Sequence, residues 1–439
     1  MSKLFLFIMA LCASLCPVGS YAQEGVSRVV SIEEMFRLAD QNSKSLRPSA
    51  TGVEEAREGI RVAKNARLPE LEASLSFSYL GDGRMMDRDF SNGFKAPMPH
   101  YGNNFAIEAT QAIYAGGAIT HGIEIAKLQE QLAHLDLETN RDQVRFLLVG
   151  YYLDLFKQQN MLRVYEKNIE QTRQVLEDMR AKSQEGIVLK NDITRYELLL
   201  SNLELTHTQL ENTIAILNNN LVTTLGLPSE MKLVPDTTLL SKVLPVNDAE
   251  TWTNTAFSHS PALKQLELGV AMNKHQDKII RSERLPKVAL FAGNKLDGPV
   301  VIEVPPLDYN FNYWYVGVGI KYNFSSLYKT NKALKRNKFT IQKSVERYDD
   351  AKEQTELAVK AGHIKYMESF VELTTQEKSV ELANQNYSVI NNRYKNDMAL
   401  ITDMLDASNS KLAAELQLVN AQINTVYNYY KLLYISGTL

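Results

Sequence analysis

The chain has 439 residues, is 44% hydrophobic and 23% charged, and sets 48 Lys and Arg against 51 Asp and Glu for a formal net charge of -3. Without a basic excess, a nucleic-acid polyanion is not an expected partner. The two cysteines, Cys12 and Cys16, both fall within residues 1–22, so neither a disulfide framework nor a cysteine metal site is expected after them.

At the N-terminus Lys3 precedes an apolar run, Leu4 to Leu15, followed by Pro17 and the small-residue site Ser20-Tyr21-Ala22. That order predicts a secretory signal over 1–22, cleaved after Ala22. Leu15 stands where a lipoprotein signal places a small residue before its cysteine, so lipidation at Cys16 is not expected. No later stretch reaches the ~18 consecutive apolar residues of a transmembrane helix. A membrane span in this chain would have to be a β-barrel.

Ser31 and Glu34 form a capping box that opens a helix, and the helix is expected to run to Arg67-Leu68-Pro69. Beyond it the period changes from 3.6 to 2. Leu71, Ala73, Leu75, Phe77 and Tyr79 alternate with Glu72, Ser74, Ser76 and Ser78, which predicts a strand at 71–79. A polar loop from Gly81 to Asn103 and a second strand at 104–114 follow. From Thr120 to Ser183 there is no proline, and Leu128, Leu132, Leu135, Val144, Leu148 and Leu155 recur at heptad-like spacing. A helix of that length, with a narrow apolar stripe, packs as a coiled coil and not around a globular core. It turns at Glu185-Gly186-Ile187-Val188, and a shorter helix returns toward Gly226.

The same grammar is then stated again. Ala39, Asn42-Ser43, Leu46 and Arg67-Leu68-Pro69 recur as Ala256, His259-Ser260, Leu263 and Arg284-Leu285-Pro286 at an offset of 217. Asp192 and Leu225-Gly226 correspond to Asp403 and Ser436-Gly437 at an offset of 211. The repetition predicts an internal duplication, with structural repeats at 23–230 and 251–439 joined by a linker at 231–250. The second repeat is expected to open at Ser260-Pro261 and to place strands at 287–293 and 313–324 around a loop with Pro299, Pro305 and Pro306. A long helix from Tyr328 to Tyr394, a turn at Asn396-Asp397-Met398-Ala399 and a return helix complete it.

In the last strand Trp314, Val316, Val318, Ile320, Tyr322 and Phe324 share a face that is aliphatic in the middle and aromatic at both ends. A lipid-facing barrel strand has that pattern; a strand of a soluble sandwich has the same alternation. Four strands cannot close a barrel, and open edges cannot face lipid. Three chains giving four strands each would supply about twelve, within the usual range. If these are membrane strands, the expected fold class is mainly α with a small β part: a 12-stranded trimeric β-barrel whose coiled-coil helices continue as a bundle or as a tube, a trimeric α-barrel.

The duplicated Arg-Leu-Pro before the strands, Gln111 to Gly117, the tips Gly186-Ile187-Val188-Leu189 and Met398-Ala399-Leu400, and Asp403-Met404-Leu405-Asp406-Ala407 resemble the TolC-like outer-membrane efflux family over essentially the whole chain after residue 22. The resemblance implies a homotrimeric channel-tunnel in the lipid of the cell outer membrane, with a helical tunnel in the periplasm. It further implies a passive exit duct of a tripartite efflux or type I secretion system, served by a periplasmic adaptor (membrane fusion) protein and an inner-membrane transporter of RND or ABC type. Gly186, Ile187, Val188, Leu189, Met398, Ala399 and Leu400 would be the adaptor-contacting tips, where the tunnel narrows to a gate. In the family a tyrosine and an arginine near the second tip hold the gate by bonding to the first. Tyr394 matches the tyrosine, and Asn191 and Asp192 the acceptors. Ala399 stands at the arginine position and Asp397 at that of a tip glycine, which leaves Lys190 or Arg393 as candidate substitute charges.

Asp403 and Asp406 are three apart at a helix start and share a face. Three-fold repetition would gather six carboxylates at the periplasmic aperture, a ring that favours cations and binds multivalent ones. Acids in a first helical turn also simply complement the helix dipole. The basic cluster Lys329, Lys332, Lys335, Arg336 and Lys338 reads as a solvated face beside the inner leaflet, or, in a sharper reading, as part of the upper tunnel lining. No catalytic residue, cofactor or metal is expected, because the seven histidines lack ligand spacing and no HExxH, P-loop or nucleophile elbow occurs. The alternative to a channel is a soluble periplasmic coiled-coil scaffold whose strands form a small sandwich.

Overall fold

The computed structural model describes residues 27–236, 244–302, 306–396 and 398–439. The signal expected at 1–22, Pro305 and the tip residue Asp397 lie outside the described residues. The chain order is β1 (Ser27–Val30), α1 (Ile32–Asn42), α2 (Arg47–Asn65), β2 (Glu70–Tyr79), β3 (Gly83–Met85), β4 (Phe94–Ala96), β5 (Tyr101–Tyr114), α3 (Ala118–Gln184), α4 (Lys190–Leu225), β6 (Lys232–Pro235), α5 (Ala249–His259), α6 (Pro261–Ser282), β7 (Lys287–Gly298), β8 (Phe311–Lys321), α7 (Ser326–Lys395) and α8 (Ile401–Ser436). Among the described residues no helix is long and apolar enough to cross a membrane.

Ser31 caps α1, its side chain accepting from the Glu34 N–H at 3.2 Å, while the Glu34 carboxylate pairs with Arg28 and does not reach back to the cap. The helix expected to run to Arg67 is in fact two. Pro48, in the first turn of α2, has no N–H to bond the preceding turn, so the chain breaks between Asn42 and Arg47. The second half opens earlier than its Ser260-Pro261 signal. Asp248 caps α5 by accepting from the Thr251 N–H at 2.7 Å, and Ser260 then caps α6.

Contacts divide the chain into two units: described residues up to Ser43 with Arg145–Pro245 and Tyr366–Tyr429, and Lys44–Val144 with Val246–Lys365 and Tyr430–Leu439. In the first unit β1 and β6 pair in parallel, Ser27 opposite Lys232 through Val30 opposite Pro235. Ile32, Met35 and Ala39 of α1, Leu148 and Leu155 of α3, and Leu221 and Leu225 of α4 are buried there. Tyr152 ties the pair to α3, donating to the Val30 carbonyl at 2.9 Å and accepting from the Asp236 N–H at 2.7 Å. Burial pushes its phenol up to about 12.

The second unit holds an antiparallel sheet in the order β2-β5-β7-β8. Its registers put Leu71, Leu75 and Phe77, Phe105 and Ile107, Leu290 and Leu296, and Trp314, Val316, Val318 and Ile320 on one face. The other carries Glu72, Ser74 and Ser76, Asn104 and Glu108, and Lys295 and Asp297. On the apolar face Leu71, Leu75, Phe77, Trp314, Val316, Val318 and Ile320 are each at least 63% exposed in the single chain. A contiguous bare apolar surface of this kind marks a partner or a lipid contact.

Three strand expectations need correction. The final strand ends at Lys321, so Tyr322 and Phe324 lie beyond it; the Asn323 side chain accepts from the Ser325 N–H and Oγ, an Asx turn that sends the chain into α7. The span 81–103 is not all loop, since β3 and β4 form a hairpin within it and β5 already starts at Tyr101. The strand expected at 287–293 continues to Gly298, because Lys295 and Asp297, which interrupt a hydrophobic pattern, pair across the sheet with Glu108 and Asn104 on β5.

Candidate functional site

The two helical turns of the first unit are built alike. Gly186 is left-handed (φ 78), and the N–H groups of Gly186 and Ile187 bond the carbonyls of Ser183 and Lys182, a Schellman closure of α3. At the second turn the Met398 N–H bonds the Arg393 carbonyl at 2.8 Å, the same six-residue closure. Each return helix then starts on a leucine, extended at Leu189: the Asp192 and Ile193 N–H groups bond the Leu189 carbonyl, and those of Asp403 and Met404 bond that of Leu400.

The turns are held together by an apolar cluster. Leu176, Met179, Tyr196 and Met404 are buried, with Val188, Ile193, Ile390, Tyr394, Ile401 and Leu405 packed against them, so α3, α4, α7 and α8 meet there. Burial pushes the Tyr196 phenol well above its ordinary range. Above this layer a cleft of about 350 Å³ opens between the turns, lined by Lys182, Ile187, Val188, Asp192, Tyr394, Ala399, Leu400, Ile401 and Thr402. Lys182 Nζ stands 5.3 Å over the Tyr394 ring.

Six residues singled out in sequence are thus brought to one cleft: Ile187, Val188, Asp192, Tyr394, Ala399 and Leu400. Gly186, Leu189, Asn191 and Met398 are exposed and do not line it. Asp403 and Asp406 are exposed on α8, outside the cleft. Asp403 has a local task, because its Oδ2 accepts from the Leu400 N–H at 3.0 Å, the N3-to-cap half of a capping box. Its counterpart Asp192 makes no such bond among the described residues.

A second polar layer lies higher in the same unit. Lys411 is 4% exposed, donates to Gln171 Oε1 at 3.0 Å and sits 4.5 Å over the Tyr387 ring. Burial pulls its ammonium below the usual lysine range. In the second unit Lys332, Lys335, Arg336 and Lys343 surround exposed Phe339 in an open cleft of about 440 Å³, and none of them forms an ion pair among the described residues. Also in that unit, His121 and His275 approach to 3.2 Å between Nδ1 atoms; burial, then Lys278 and His275, lower the His121 pKa. Among the described residues no group of three or more His, Cys, Asp or Glu could hold a metal ion.

Residues 35–227 match the family described as Outer membrane efflux protein. The outer membrane efflux protein BepC of Brucella suis biovar 1 (strain 1330) is 19% identical over 403 residues, which cover 91% of this chain and 84% of that one. Over residues 35–227 the chain is similar to the outer membrane efflux protein family. The fold agrees: the outer-membrane channel OprN superposes with a TM-score of 0.76 at 16% identity, covering 93% of this chain and 90% of its own. The outer membrane protein VceC of Vibrio cholerae superposes at 0.73 and 15% identity, covering 92% and 96%. BepC is described as an efflux protein and OprN as an outer-membrane channel.

Two residues in the tip half of the chain were not singled out in the sequence. The cation lining the cleft is Lys182, and neither Lys190 nor Arg393 lines it. Lys182 carried no sequence signal, since it looks like any basic residue in a last helical turn. Lys411 did carry one: Met404, Ala407, Lys411 and Ala414 keep the heptad spacing of a buried stripe, and the flanking alanines leave room for the lysine stem.

Proposed function

We propose that the chain is one protomer of a homotrimeric outer-membrane channel-tunnel, with two structural repeats (23–230 and 251–439), that acts as a passive exit duct of a tripartite efflux or type I secretion system. The observation that carries this reading is the sheet. One face is bare and apolar, the other is polar, and the edge strands β2 and β8 each hydrogen-bond a single neighbour. In lipid such edges must be closed by another chain, and three chains with four strands each give a barrel of about twelve. Coiled-coil helices beyond the barrel form the periplasmic tunnel. The hairpin turns form its end, where Gly186 to Leu189 and Met398 to Leu400 meet a periplasmic adaptor coupled to an RND or ABC transporter. There Tyr394 with Asn191 and Asp192 restrains the gate, Lys182 stands in for the charge missing at Ala399, and Asp403 and Asp406 form the acidic ring.

The test is fractionation and sizing, combined with crosslinking from Val188→Cys or Ala399→Cys. The expected result is an outer-membrane protein with the mass of three chains that captures an adaptor from both tip positions. A soluble monomer in the periplasmic fraction would overturn the duct in favour of a coiled-coil scaffold. An outer-membrane trimer with no adaptor product from either cysteine would remove the docking role from the tips.

A further inference from the structure

The polar face of the sheet is not uniformly polar. Phe311, Tyr313 and Tyr315 alternate along β8 on that face, and Phe291 joins them from β7. The ring centroids follow one another at 5.3 Å (Phe311 to Tyr313, stacked), 6.3 Å (Tyr313 to Tyr315) and 6.0 Å (Tyr315 to Phe291). Four aromatic rings therefore run in unbroken contact along the face opposite Trp314, Val316, Val318 and Ile320. A membrane girdle does not account for them, because girdle aromatics belong to the lipid side.

Glycine makes the track flat. A Cβ on Gly317 would stand 2.6 Å from the Phe291 ring, and one on Gly293 2.7 Å from the Tyr315 ring, so both rings rest on the backbone of the neighbouring strand. The exposure that remains, 56% for Phe311, 38% for Phe291 and 36% for Tyr313, leaves ring surface open to solvent.

The charges beside the rings are unequal. Glu108 Oε1 accepts the Tyr315 hydroxyl and the Lys295 ammonium, the latter at 2.9 Å, while Oε2 has no partner among the described residues. Glu72 lies directly opposite Glu108 in the register and Asp297 opposite Phe311. Beside the rings stand two carboxylates, Glu108 and Asp297, and one ammonium, Lys295, which favours a cation there; Lys287 and Lys321 share the face at its far end, one alternate position beyond Ala289 and Gly319. Aromatic faces stack with planar rings and attract positive charge.

We propose that Phe311, Tyr313, Tyr315 and Phe291, with Glu108, form a binding track for planar aromatic cations on the inner wall of the barrel. Placement on an inner wall rests on the duct reading; the site itself requires only the sheet. Cargo carrying a flat cationic ring would move along the track from one ring to the next, as each contact is weak and the next is within a ring's width.

Proflavine, a planar acridine cation, is the probe, with binding to the full-length purified protein followed by fluorescence titration and its effect on ion current followed in planar bilayers. Saturable binding is expected, weakened about tenfold in Phe311→Leu/Tyr313→Leu, less in Glu108→Gln, and unchanged in Ser74→Ala on the same face. Phe311→Tyr/Tyr313→Phe keeps both rings and is expected to bind like the natural chain. Gly317→Ala, which displaces the Phe291 ring while deleting none, is expected to weaken binding and gives a second route should the leucine variant fail to fold. Equal affinity in the natural chain, the leucine variant and Gly317→Ala would overturn the track. Ring-dependent binding without any interruption of current would keep the site and overturn its placement in the conducting path.

Discussion

Asp403 already has a partner inside the chain, and that decides how an acidic ring must be tested. Its Oδ2 takes the Leu400 N–H at 3.0 Å, so removing the side chain frays the start of α8 as well as removing charge. Loss of such a cap costs about 1 kcal/mol. Asp403→Ala is therefore expected to speed hydrogen exchange at the Leu400 amide, while Asp403→Asn, which keeps an acceptor oxygen, and Asp406→Ala leave it near the natural rate. The charge effect is isolated by Asp403→Asn/Asp406→Asn: block of the channel by multivalent cations in bilayers is expected to weaken roughly fivefold or more. Unchanged block in that variant would take both residues out of the aperture. The acids were legible because they stand three apart at a helix start. The bond to Leu400 was not, since it depends on where the helix begins, and helix ends are the least determined part of any periodic pattern.

At the scale of elements, helix boundaries recur with the offsets of the sequence motifs. α1 and α5 start and end 217 residues apart, and α4 and α8 211 apart. The repeated residues also meet. Gly226, left-handed at the end of α4, has its Cα direction filled by Asn42, and Gly437, left-handed at the end of α8, abuts the backbone of His259 and Ser260. A Cβ on Gly226 would stand 2.9 Å from the Asn42 Cβ, whereas one on Gly437 would stand 2.9 Å from Ser260 Cα and 3.0 Å from two further backbone atoms. The left-handed conformation alone costs a non-glycine residue about 1–2 kcal/mol, and backbone yields less than a side chain. Gly437→Ala is expected to destabilise more than Gly226→Ala, and each by at least ~1 kcal/mol in denaturant titration. A pair of variants within ~0.5 kcal/mol of the natural chain would show that these contacts do not hold the helix ends. The long helices and the strand at 71–79 were legible because period and composition agreed over many residues. The end of β7 was not, because its polar face takes charged pairs from β5 that a hydrophobic pattern does not reveal, and the Pro48 break was overlooked because the apolar period continues through it.

At the scale of the whole molecule, the sheet edges β2 and β8 decide the assembly. β2 and β8 are opposite edges of a four-stranded sheet, separated by β5 and β7, so within one chain they lie on the order of 14 Å apart at ~4.8 Å per strand. A disulfide needs Cα atoms about 4.4–6.8 Å apart, a distance that adjacent antiparallel strands provide at about 4.5–5.5 Å. A bond between β2 and β8 can therefore form only between chains. Cysteine pairs that combine Leu71, Ala73 or Leu75 on β2 with Val316 or Val318 on β8 all lie on the apolar face. With Cys12 and Cys16 replaced by serine, oxidation is expected to trap at least one such pair, and a matched pair on the polar face, such as Ser74 with Gly317, tests the same joint from inside. Closure at three chains makes a definite statement about the products. The ladder on a denaturing gel should contain species of two and three linked chains and stop, because the third bond closes the ring. Bands continuing beyond three would mean an open or larger assembly, and monomer alone across the whole set would mean that β2 and β8 are covered by something other than a copy of this chain.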